Sequence, residues 1–427
     1  MAGTVLTYRR VIALTGPLLP LVSFFARLPV AMVQFGTVLL VAETSGSLAT
    51  AGIVGGALSA GQVVCGPLLG RCADRRGQRP VVLAAAAVNA VATAALVAGA
   101  LAGLGTTGLA AVGAVAGASV PLIGPLARTR SVALAHRAGA DEPVVAAVHS
   151  LEGTLDEISF VFGPALVGLA ALVAHPAVAL GGAAALVAGF GTAFALHPTA
   201  AATAGTPAAR LPKEAAARRR HPGVVYALRG SLALQGAMFG ACQAGIAALT
   251  DRLGVPEQAG LVYAAMGVVS AAVGLALGAL PARFGLRLRW RAATAAALVL
   301  SAPLLVTDSL AGLYAVVVVL GAAYAPHLIT AFALTERAVA PARLAESTAF
   351  AASSLVAGQA LALALSGRLA EHHGPSGAFL VAVVAAALCL ALALFTRVPP
   401  GRTTHTRRGP AASETPGGPG GRAYAGR

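Results

Sequence analysis

Charge is scarce in this chain. Lys, Arg, Asp and Glu make up 11% of its 427 residues, Asp and Glu number only 15, and Lys213 is the sole lysine. A soluble domain carries roughly a quarter charged residues, so a water-facing globular surface is excluded. The four cysteines, Cys65, Cys72, Cys242 and Cys389, show neither CxxC nor Cys/His ligand spacing. They read as small apolar residues buried in or beside hydrophobic runs. There is no GxxxxGK[ST] loop for direct nucleotide-driven pumping, and no HExxH or GxSxG. The chain is therefore expected to be no enzyme: no catalytic residues, no cofactor and no metal.

What is present is apolar. Hydrophobic residues reach 57% and mean hydropathy is +0.81. Stretches such as 81–127 and 161–195 are nearly free of charge, and each is long enough for two crossings of a bilayer at about 20 residues per span. Twelve spans are expected near 12–41, 47–70, 80–102, 106–130, 144–173, 177–196, 223–249, 257–282, 290–307, 310–335, 344–368 and 374–396. They lack the period-2 alternation of barrel strands, and backbone in lipid must satisfy itself, so they are helices. The first run is too long for a signal-peptide h-region and lacks a clear cleavage site, so it is expected to stay as a span.

The net charge of +15 could suggest nucleic acid, but the basic residues come in short bursts between apolar runs, without stacking aromatics on a polar surface. That spacing is an orientation signal. With the N-terminus inside, all but Arg27, Arg252 and Arg368 of the 30 Lys and Arg residues fall on or beside the cytoplasmic face. The expectation is a multi-pass protein of the cell membrane with both termini cytoplasmic.

Residues 197–222 interrupt the apolar pattern with Pro, Ala and a basic cluster, as a linker between two halves would. Sliding the chain by 208 positions aligns 50–79 with 258–287 without a gap. Gly66/Gly274, Gly70/Gly278, Arg75/Arg283, Gly77/Gly285 and Arg79/Arg287 are among the identities. The expected domains are an N-terminal six-helix bundle (1–196), a cytoplasmic linker (197–222), a C-terminal six-helix bundle (223–396) and a disordered cytoplasmic tail (397–427).

Between the second and third spans stand Gly70, Asp74, Arg75, Gly77 and Arg79. A glycine, an aspartate four later, then a basic residue, a glycine and further basic residues resemble the signature of the major facilitator superfamily. The resemblance covers roughly residues 10–397. It implies an all-α membrane protein of two six-helix bundles that rock around a central cavity, with this loop bracing one half against the other as a conformational gate. Asp74 is then expected to exchange charge pairs with Arg75, Arg76 and Arg79. The "FGPALVG" of the fifth span (162–168) looks like part of an antiporter pattern or a packed kink. Gly113 stands where the family's usual fourth-span arginine would align, and Arg128 and Arg130 lie near the expected cytoplasmic end.

The other candidates are charges inside the membrane. In "SLEGTLDEISF" (150–160), a rise of about 1.5 Å per residue puts Asp156 and Glu157 near the midplane and Glu152 nearer the cytoplasm. Arg27 lies at comparable depth in the first span. Charges there are costly and face a partner or a cavity, so an ion pair of Arg27 with Asp156 or Glu157 is expected, with the group serving coupling or substrate contact. Gln34, Gln243, Tyr324 and His327 are secondary cavity candidates. The leading expectation is secondary active transport: proton-coupled export of a small molecule by a monomer, with the lipid bilayer, that substrate and the proton as partners and no nucleic acid. Uptake of a sugar or other metabolite, or a non-transporting sensor or scaffold, are the alternatives.

Overall fold

The computed structural model describes residues 2–203, 223–255, 258–280 and 284–397, and every regular element among them is a helix. A short helix, α1 (Ala2–Thr15), precedes α2 (Leu18–Ser45), α3 (Leu48–Arg76) and α4 (Gln78–Leu101). The fourth crossing is built of two pieces, α5 (Thr106–Ala118) and α6 (Ile123–Arg137), and is followed by α7 (Glu142–Val173). The sixth consists of α8 (Pro176–Leu186) and α9 (Thr192–Leu196) joined by the π-helical turn Val187–Gly191. The second half contains α10 (Gly223–Arg252), α11 (Gln258–Leu277), α12 (Leu286–Ser301), α13 (Leu310–Ala338), α14 (Leu344–His373) and α15 (Pro375–Phe395). Among the described residues, 11 segments are long and apolar enough to span a membrane. The twelfth, α12, has 16 residues and is lengthened by the 3-10 turn Ala302–Val306.

Local chemistry sets several of the boundaries. Ser47 and Ser309 accept from the amides of Thr50 and Gly312 and so cap α3 and α13. α3 ends at Gly77, whose φ of +87° suits glycine and lets α4 start at once.

Several expected boundaries move by a few residues, and two moves matter for the site. The first span does not begin near residue 12, because Gly16 at φ +73° followed by Pro17 separates α1 from α2. The fourth span does not end at 130. It breaks at residues 119–122, where Pro121 precedes Leu122 in the left-handed region at φ 52°, and then continues to Arg137. This lengthening carries Arg128 about 14 Å inward from the end of α6.

Each half has its own core. Leu28, Met32, Leu40, Val54, Leu58, Leu96 and Leu180 pack together in the first, and Met238, Ile246, Val262, Leu313, Leu320 and Phe379 in the second. Two further clusters mix the halves: Ala345 and Ala349 of α14 join Leu19, Val82, Ile123 and Phe194, while Leu344 joins Val11, Val132 and Val144. Large apolar side chains such as Leu172, Leu361 and Phe395 stand exposed on the outside, the reverse of a water-soluble surface.

Of the expected linker, 197–203 are described and hold the 3-10 turn Pro198–Ala202, tied to the first half by Arg130 Nη1 donating to Thr199 Oγ1 at 3.2 Å. Residues 204–222 with Lys213, the positions Glu257, Ala282 and Arg283, and the tail from 398 lie outside the described residues.

Candidate functional site

Four charges meet inside the first half. Arg27 on α2 ion-pairs with Glu152 of α7, and its Nη1 also donates to the Glu152 carbonyl at 3.2 Å. Its Nε stands 3.5 Å from Asp156 Oδ1. Arg128 on α6 reaches the other Asp156 oxygen at 2.8 Å, and Ser131 Oγ donates to Glu152 Oε1 at 2.8 Å. Arg27, Arg128 and Glu152 are each under 5% exposed. Two cations thus face two carboxylates, which is how ionised groups persist away from water.

Gly124 makes the room. A Cβ there would meet Asp156 Oδ1 at 2.6 Å. Arg128 also lies over the Phe332 ring of α13, 3.8 Å from its centroid, so the cluster touches the second half through a cation–π contact.

Glu157, one residue on, turns elsewhere. It is 6% exposed and, among the described residues, has no ion-pair partner. It hydrogen-bonds to Ser270 of α11, in the second half, so Glu157 is a carboxyl at the seam between the bundles.

At one end of the molecule the seam is bonded twice. Asp74 on α3 accepts from the amides of Ala345 at 3.1 Å and Glu346 at 2.8 Å, the unsatisfied N–H groups that open α14. A carboxylate there also faces the positive end of the helix dipole. Arg71 donates to Glu346 Oε1 at 2.6 Å. Gly70 lets the helices touch, for a Cβ would meet the Ala345 carbonyl oxygen and Ala349 Cβ, each at 2.7 Å. The second bonded region joins α7 to α13, with His149 paired to Glu336, His136 Nε2 3.4 Å from the same carboxylate, and Arg337 paired to Glu142.

The sequence profile of the Major Facilitator Superfamily matches residues 19–336 of this architecture. The chain belongs to that superfamily. Its members are multi-pass membrane proteins that transport small molecules, and this chain is a transporter of that general kind. A comparison with curated proteins finds no match. Solved superfamily structures share the fold along nearly the whole length. The human organic anion transporter MFSD10 is 19% identical, with 90% of this chain and 99% of that chain covered and a TM-score of 0.66. The proton:xylose symporter XylE bound to 6-bromo-6-deoxy-D-glucose is 13% identical over 87% and 94%, also at 0.66. A bacterial homologue of the iron transporter ferroportin in an outward-facing state is 15% identical over 88% and 97%, at 0.69. Three different cargoes on one fold leave substrate to the side chains.

Within this superfamily fold, several expected roles change. Arg27 does pair with Asp156, one of its two expected partners, but its other partner is Glu152 and not Glu157. Arg128 enters the cluster because α6 continues past residue 130. Asp74 bonds to backbone amides across the seam rather than to Arg75, Arg76 or Arg79, which are exposed. Arg130 is fully buried on neutral acceptors, Gln78 Oε1 at 3.0 Å and the Phe194 carbonyl at 3.0 Å. Tyr324 and His327 are 1% exposed and belong to the packed second half, whereas Gln34 and Gln243 are half-buried. His327 Nε2 shares a 2.7 Å hydrogen bond with Ser231, which also accepts from Trp290 at 3.0 Å. Gly124 and Ser131 were missed, and nothing in their local sequence marks them.

Proposed function

We propose that this protein exports small, neutral or weakly charged molecules by alternating access, driven by protons, with Glu157 as the coupling carboxyl. The carrying observation is the charge balance. Arg27 and Arg128 are matched by Glu152 and Asp156, so the adjacent Glu157 is, among the described residues, a surplus acid without an ion-pair partner. A bare carboxylate away from water costs several kcal/mol, and binding a proton removes that cost. Its placement against Ser270 means that separating the halves changes its surroundings, which is the link between protonation and rocking that coupling needs. In the second half the buried polar groups deep in the spans, such as Gln235, Ser270 and His327, are neutral side chain types or histidine, which favours uncharged cargo.

The end bonded by Asp74 carries Arg71, Arg75, Arg76 and Arg79, so the positive-inside rule assigns it to the cytoplasm. This conformer is then closed inward and faces out. The test is transport of a panel of drug-like solutes in proteoliposomes under an imposed pH gradient. Glu157→Gln is expected to lose dependence on the gradient while still exchanging cargo, and an uncoupler is expected to reduce the wild type to the same level. Transport indifferent to both changes would overturn the coupling assignment.

A further inference from the structure

The two contact regions of the closed end are not chemically equivalent, although the repeat makes their helices equivalent. At the α3/α14 seam, Asp74 supplies the bond across the halves. The register of 208 residues places Gly278, in the turn just after α11, on Gly70, but Ala282 where Asp74 stands, and an alanine side chain has no acceptor. The counterpart of α14 is α7, whose N-cap residue Asp141 makes no side-chain cap bond to its own helix. α1, a helix outside the repeat, meets Asp141 and also reaches α11. Arg10 Nη1 lies 3.0 Å from Asp141 Oδ2. Tyr8 donates through its hydroxyl to the Leu275 carbonyl of α11 at 2.6 Å. A Cβ on Gly278 would meet that hydroxyl oxygen at 2.5 Å and Ser150 Cβ at 3.3 Å.

We propose that α1 is a strap across the α7/α11 seam, adding to the α7/α13 ion pairs a bond between the halves as Asp74 does at α3/α14, so that release of α1 shifts this end towards opening. Three features carry it. Gly16 and Pro17 separate α1 from the first span, so it is free to lie across the end of the bundle. Val11, fully buried in a cluster drawn mostly from the first half (Val132, Ala135, Val144 and Val148) with Leu344 of the second, anchors it. Tyr8 then crosses to the second half. Burial raises the Tyr8 phenol above its ordinary value, which keeps the hydroxyl protonated as a donor. The Arg10–Asp141 pair is half-exposed on both sides and adds orientation more than strength.

The proposal rests on the rocking reading above, and hydrogen exchange on the full-length protein in lipid nanodiscs separates the two. The reporters are the Ala345 and Glu346 amides, which Asp74 holds at the other seam. Tyr8→Phe keeps the ring and removes one bond, and is expected to speed exchange at these amides roughly two- to tenfold. Deletion of residues 2–15 is expected to do more. A helix that only packs against its own half would, when altered, loosen the start of α7 and leave Ala345 and Glu346 unchanged; that result in both variants overturns the strap. Asp74→Asn is the control. Faster exchange in Asp74→Asn without any in the α1 variants removes the strap and leaves the rocking reading standing; no change in any variant overturns both.

Discussion

Replacing Arg27 by methionine tests the buried cluster most directly. The change keeps the length of the side chain and removes a cation that serves Glu152 and Asp156 together. At an effective dielectric of about 20, unit charges 3.5 Å apart attract by about 5 kcal/mol and charges 2.8 Å apart by about 6 kcal/mol, distances at which Arg27 and Arg128 stand from Asp156. Asp156 therefore keeps its nearer partner, Arg128, in the variant. Glu152 loses its direct ion-pair partner and keeps the Ser131 hydroxyl, with Arg128 and Arg130 at longer range. Part of the Coulomb term opposes the original desolvation, and removing one member of a buried pair typically costs about 3–5 kcal/mol. We expect a loss of this size, read as a lower thermal midpoint of the purified protein in detergent. Adding Glu152→Gln removes the stranded charge with little change of shape, and should restore about 1–3 kcal/mol in a double-mutant cycle. Strictly additive losses, with the double variant less stable than either single one, would refute the pairing.

Gly70→Ala should push α3 from α14, because its Cβ would meet the Ala345 carbonyl oxygen at 2.7 Å. A penalty of about 1–3 kcal/mol against the closed end should appear as roughly five- to hundredfold faster hydrogen exchange at Ala345 and Glu346, with helix content unchanged by circular dichroism. Ser231→Ala strands the Trp290 N–H and the His327 nitrogen that now share one hydroxyl. About 1–3 kcal/mol of stability should be lost, measured by thermal unfolding, and Ser231→Thr should retain more of it.

The superfamily signature was legible because it is local: a glycine turn with basic residues at fixed spacing occupies a few consecutive positions. Its bonding was not. Nothing around Asp74 indicates that its acceptors' partners are amides some 271 positions away, since a helix N-terminus offers the same backbone groups whatever its sequence. The acids of "SLEGTLDEISF" were conspicuous for their depth, but a depth estimate treats each helix as a straight rod with known ends. The break at Pro121 and Leu122, and the continuation of α6 to Arg137, put Arg128 into the cluster and changed the account of charge. α1 was hidden for a similar reason, since its apolar residues merge by composition with those of the first span until Gly16 and Pro17 are seen to divide them.

By itself, the sequence determined the solvent this chain folds in, its many apolar helical spans, the doubling of the bundle and the superfamily. Each of these is a pattern of hydropathy, charge or repeated glycine that survives without knowing any long-range contact. Tertiary structure decided which arginine neutralises which acid, that Glu157 is left over, and that Asp74 and Tyr8 reach across the seams. Those outcomes depend on the rotation and register of helices far apart in the chain, where a shift of one residue turns a side chain by about 100°, and no local pattern records that angle.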